Sequence, residues 1–114
     1  MIINGNWDTR QVWIDEVELD PAESQKVYNH SPDGFNWGYG GSGPAQLALA
    51  LLIFFTDKKW ARAHYQQFKW DIIAKLPQRD FEIEEEVITN WVFNAWLLEE
   101  TNKDLKDLVV NERG

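Results

Sequence analysis

Cysteine is absent from this chain of 114 residues, which removes disulfides, thiolate nucleophiles and zinc-thiolate centres together. Histidine is scarce: only His30 and His64 are present, with no HExxH pair and no Asp-rich calcium loop, so neither a metal nor a cofactor is expected. Positive charge is also short, since 11 Lys and Arg face 19 Asp and Glu for a formal net charge of -8. Phosphate-backbone binding needs clustered cations, so direct contact with nucleic acid is not expected. The longest apolar stretch, Ala45 to Phe55, falls short of the roughly 20 residues that cross a bilayer. Met1 to Trp7 has neither a basic nor an apolar leader region, so a cytoplasmic location without a membrane partner is expected. No long linker or internal repeat interrupts the chain, whose length suits a single domain over residues 1–114.

What the chain does have is concentrated in YNHSPDGFNWGYGGSGPAQLALALLIFF, Tyr28 to Phe55. Asn29, His30, Ser31, Pro32, Asp33 and Gly34 are turn formers, with Pro32 suited to the first central position and Gly34 to positive φ. Phe35, Trp37 and Tyr39 alternate with Asn36 and Gly38, which predicts a strand with Trp37 and Tyr39 on one side as a face for a ligand. Gly40, Gly41, Ser42 and Gly43 form a side-chain-poor loop. Ser42 or Gly43 is the expected cap of a helix over Ala45 to Phe55, with Pro44 at its first turn. Apart from Gln46 that helix is apolar all round, so it belongs at the centre of the fold. Backbone N–H groups of the glycine loop, beside the positive end of the helix dipole, suit a phosphate or carboxylate. The alternative is that the glycines only allow close packing. The loop is not a Walker A, because no Lys follows its last Gly.

The stretch NHSPDGFNWGYGGSGPAQLALALL, followed by HYQQFKWDIIAKLP, resembles a family of small uncharacterised proteins of bacteria, archaea and phages. Their signature is close to NHSPxGFxWGYGGSGPAQLALALL with a later YQxFK. The resemblance covers Val27 to Pro77 and implies a shared fold and a shared special loop, without an activity.

The remaining segments supply a scaffold. Val12 to Ile14 and Val17 to Leu19 flank Asp15 and Glu16 as a tight hairpin, and Asp20 caps a short helical turn that Pro21 begins and Gln25 ends. A second helix is expected from a Thr56 cap to Leu76, stopped by Pro77, with Ala61, Tyr65, Phe68, Ile72 and Leu76 as its core stripe. Trp60, Ala63, Trp70 and Ala74 give it a second apolar side. A third helix is expected over Glu84 to Thr101, with Phe93 and Leu97 opposite its core stripe. Trp60, Trp70, Phe93 and Leu97 are therefore candidate contacts of a homo-oligomer, unless Leu105, Leu108 and Val109 of a segment Asp104 to Val110 fold back over them. Glu82, Glu84, Glu85 and Glu86 suit a helix start better than a metal site, because consecutive helical residues diverge.

These elements make an α+β fold: a small antiparallel sheet, a buried central helix and two longer amphipathic helices. The expected function is non-catalytic binding of an anionic, nucleotide-like small molecule by Asn29, His30, Ser31, Asp33, Trp37, Tyr39, Gly40, Gly41, Ser42, Gly43, Gln46 and Lys69. Lys69 either completes that site as a point charge or snorkels to water. One alternative is an acidic module for a protein partner, such as a phage-borne inhibitor occupying a basic nucleic-acid-binding surface. Another is a small hydrolase with His30 as base near Ser31, Asp33 and Ser42, although such residues in turns usually satisfy local backbone groups.

Overall fold

A computed structural model describes residues 1–113, with side chains as far as Leu105. Four antiparallel strands form one sheet: β1 (Ile2–Gly5), β2 (Val12–Ile14), β3 (Val17–Glu18) and β4 (Phe81–Glu84), in the order β3-β2-β1-β4. The expected β2–β3 hairpin is present. Asp15 adopts φ 54° at its turn, where a short polar side chain tolerates the left-handed region, and its carboxylate accepts the Ile2 N–H at 2.8 Å. β4 pairs with β1 across nearly the whole chain, with Ile3 opposite Ile83 and Gly5 opposite Phe81. Ile3, Val12, Ile14 and Phe81 are buried on the core side.

Helix α1 (Pro21–Val27) begins as expected, with the Asp20 carboxylate accepting the Ala22 N–H at 2.9 Å and Pro21 in the first turn. Helix α2 (Ser42–Phe55) runs through the centre and is buried continuously from Gly43 to Leu52. Its neighbour α3 (Lys58–Asp71) starts one residue later than expected. Asp57 is the cap, accepting the Trp60 N–H at 2.8 Å, while the Thr56 hydroxyl instead closes the end of α2 by donating to Leu52 O. α3 ends at Asp71 rather than Leu76, and the chain tightens into a 3-10 turn over Ile73–Lys75 that keeps Ile73 in the core.

Three other expectations are corrected. The segment Phe35 to Tyr39 is not a strand, because Gly38 takes φ 83° and breaks the alternation. Glu84 belongs to β4, and helix α4 begins one residue later, Glu85–Arg113, with Glu85 and Glu86 in its first turn. The helix runs unbroken past Thr101, so Asp104 to Val110 continue it instead of folding back; Leu108 and Val109 lie outside the described side chains.

The one buried polar side chain of α2 fixes the chain around it. Gln46 is fully buried. Its carboxamide oxygen accepts the His30 and Ser31 N–H groups at 2.8 and 3.1 Å, and its nitrogen donates to Ser24 Oγ at 2.8 Å and Tyr28 O at 3.1 Å. Gln46→Leu keeps the volume but orphans these groups, each worth on the order of 1 kcal/mol or more when buried. We expect it to lower unfolding stability by about 3 kcal/mol in chemical denaturation, with an unchanged slope against denaturant.

Candidate functional site

The Asn29 to Gly43 signature is built first for packing. Trp37 is fully buried, stands edge-on to Phe81 at 4.8 Å and Trp7 at 5.7 Å between centroids, and donates from Nε1 to Arg79 O at 2.9 Å. It has no face for a ligand, which corrects the pairing with Tyr39: Gly38 turns Tyr39 outward, where it stays 43% exposed. A Cβ on Gly43 would lie 2.5 Å from Asn36 Cβ, and one on Gly41 would strike the Tyr39 ring. Gly40 leaves room for the Trp70 ring in the same way.

Packing leaves an open cleft of about 480 Å³ at the start of α2, lined by residues that include Thr9, Arg10, Ser31, Asp33, Tyr39 and Ser42. Gly41 is the cap residue and offers no side-chain bond. The Ser42 and Gly43 N–H groups therefore have no acceptor among the described residues, and Pro44 has no N–H. This is the positive end of a helix dipole, worth about half a charge.

Arg10 is the cation of the cleft, and no sequence motif points to it. It sits at φ 64°, held by its N–H donating to Asn6 O at 2.7 Å, while Asn6 Oδ1 accepts the Asp8 and Thr9 N–H groups. Its guanidinium lies 3.5 Å above the centre of the Trp7 ring, and Nε donates to Asn36 Oδ1 at 3.1 Å. Among the described residues its terminal amino groups make no hydrogen bond and no carboxylate pairs with it. The available signal was a lone Arg in the polar loop NWDTR before a strand.

The other expected site residues divide between this cleft and its supports. Ser31, Asp33, Tyr39, Ser42 and Gly43 line the cleft. Gln46 is a buried structural clamp on the turn at His30 and Ser31, and Asn29 is exposed beside that turn. His30 and Lys69 belong to the α3 side. The His30 ring stacks on Tyr28 with centroids 4.1 Å apart and hydrogen-bonds through Nε2 to the Tyr65 hydroxyl. Lys69, one turn after Tyr65, is buried with its ammonium 4.3 Å from the centre of the Trp70 ring, a cation–π contact. His30 bonds to Tyr65 and not to Ser31 or Ser42, so the base–nucleophile pair of a hydrolase is not assembled. Among the described residues no three His, Asp or Glu converge as for a metal, and no helix is long and apolar enough to cross a membrane.

Residues 4–94 match the model of a family of unknown function, DUF6166, and the chain belongs to that family. The match reaches beyond Val27 to Pro77 and takes in most of the sheet, the Arg10 loop and the first part of α4. No curated protein and no solved structure matches the chain.

Burial, and secondarily the Lys69 charge, hold the His30 pKa below its usual 6.5. The unfolded chain then binds the proton more readily than the folded one. Stability is full above the unfolded pKa and falls as pH drops through it toward the folded value. We expect the melting temperature to decline between pH 7.5 and 5, and the decline to be smaller in His30→Asn.

Proposed function

We infer that this chain is a non-catalytic binding protein whose cleft takes an anionic small molecule of nucleotide-like chemistry. The observation that carries this reading is Arg10. Its guanidinium is immobilised by Trp7 and Asn36, yet its terminal amino groups are unused, beside a helix start with two unused N–H groups. An immobilised fork matches a phosphate or carboxylate with little entropy left to lose. Asp33 lines the same cleft and repels a bare anion. A ligand that joins its anionic group to hydroxyls satisfies both, since a carboxylate accepts hydrogen bonds from hydroxyls as readily as guanidinium donates to phosphate. The half-exposed Tyr39 ring at the rim suits a planar base.

The test is calorimetric titration with nucleoside monophosphates, the corresponding nucleosides and inorganic phosphate. The monophosphate is expected to bind at least tenfold more tightly than either half. Arg10→Met should weaken it by about 10- to 100-fold, as for loss of hydrogen bonds to a charged group, while the protein stays folded by circular dichroism. No heat of binding with any nucleotide at millimolar concentration would sink the reading. Gly43 is a poor position for this test, because a new Cβ meets Asn36 and disturbs packing first.

A further inference from the structure

Two surfaces play no part in that cleft, and their chemistries are complementary. The first is on α4. Ile88 is buried, with Trp91 and Val92 partly buried against the core, and Glu99 reaches His64 on α3 at 3.3 Å. Spacings of three, four, seven and eleven residues place Phe93, Trp96, Leu97, Glu100 and Asp104 together on the side away from that core. Phe93, Trp96 and Leu97 are 58%, 46% and 46% exposed. At 1.5 Å per residue the 29-residue helix is about 43 Å long, whereas the molecule measures 59 × 26 × 23 Å; α4 therefore extends well beyond the body that its first turns cover. Phe93 lies just inside the family match, which ends at residue 94, and Trp96, Leu97, Glu100 and Asp104 follow it.

The second surface is an open groove of about 630 Å³ between α1 and α3, with Lys26, Lys58, Lys59 and Arg62 around Val27 and Ala63. Lys26 pairs with Glu23 at 3.0 Å, but Lys58, Lys59 and Arg62 form no ion pair among the described residues. Four of the chain's 11 cations are thus gathered around an apolar floor on a protein of net charge -8.

We propose that α4 of one copy of this chain docks into the basic groove of a second copy. Phe93 and Leu97 lie on the floor and on the lysine stems, and Glu100 and Asp104 meet Lys58, Lys59 and Arg62 of the partner subunit. Charge selects this arrangement over pairing of one α4 with another. Antiparallel pairing centred on Phe93 and Leu97 sets Asp104 against Glu86 of the partner subunit, and parallel pairing sets Glu100 against its own counterpart. Two molecules of charge -8 also repel everywhere except where the cationic groove meets an acidic face. The contact is small, so association in the micromolar range is expected, strengthened when two such contacts close a symmetric dimer.

Sedimentation velocity of the full chain between about 5 and 500 μM, at low and high salt, tests this on the scale where screening falls from roughly 14 to 4 Å. At 50 mM NaCl we expect concentration-dependent association that weakens at least tenfold at 500 mM. Lys58→Glu with Lys59→Glu should weaken it at least tenfold, as should Phe93→Ser; all three positions are exposed, and circular dichroism verifies folding. Adding Glu100→Lys and Asp104→Lys to the lysine reversals should restore association. A monomer at every concentration in low salt overturns the proposal. So does association that the lysine reversals leave unchanged, or that the fourfold charge exchange fails to restore.

Discussion

Gln46 puts a carboxamide near the start of a helix whose buried length is otherwise apolar, and all four of its hydrogen bonds go to the chain that wraps that helix. In a low-dielectric interior such bonds are individually strong and their loss is costly, so the wrapping chain has one placement relative to α2. Ser24 ties α1 to the helix. Tyr28, His30 and Ser31 set the turn, which directs the His30 ring to Tyr65 on α3 and places Ser31 on the cleft. Hydrophobic burial drives α2 inward but is indifferent to rotation of an all-apolar cylinder. The carboxamide supplies the rotational and axial register that burial does not.

The same logic explains which parts of the fold were legible in the sequence. The β2–β3 hairpin, the Asp20 cap and the burial of α2 depend on neighbours a few residues apart, so local chemistry reported them. The segment Phe35 to Tyr39 has the period of a strand, but one glycine at positive φ turns Trp37 into the core and Tyr39 out of it. Alternation cannot reveal such a turn, because it counts residues and not dihedral angles. β4 was hidden for a different reason. Its sequence FEIE runs directly into EEVITN, and only pairing with β1, about 80 residues earlier, separates strand from helix. Arg10 was missed likewise, since its importance rests on an Asn36 contact 26 residues away.

A glycine-rich signature invites a ligand, yet Gly40, Gly41 and Gly43 each have a packing neighbour that a Cβ would strike. The motif alone therefore does not distinguish binding from close packing. What distinguishes them is the remainder after packing is satisfied. Every buried polar side-chain atom among the described residues has a partner, whereas the helix-start N–H groups and the Arg10 amino groups, open to the cleft, have none. A chain that satisfies its interior so completely and leaves donors unused at one concave place offers the donors on which the proposed anion site rests.

Net charge does not contradict the proposed anion site, because it acts over a different distance. At physiological ionic strength charges more than about 8 Å apart are largely screened, so an anion approaching a protein of charge -8 is repelled mainly during its approach. In the proposed site it would meet Arg10 and the α2 dipole at contact distance, where hydrogen bonds to charged groups contribute roughly 1.5–3 kcal/mol each. Long polyanions need a continuous positive track for their successive phosphates, which a net charge of -8 does not favour. Cations gathered at separate, bounded places favour small anions and short acidic faces. A uniformly basic protein suits both kinds of anion; the proposed site relies on local attraction alone.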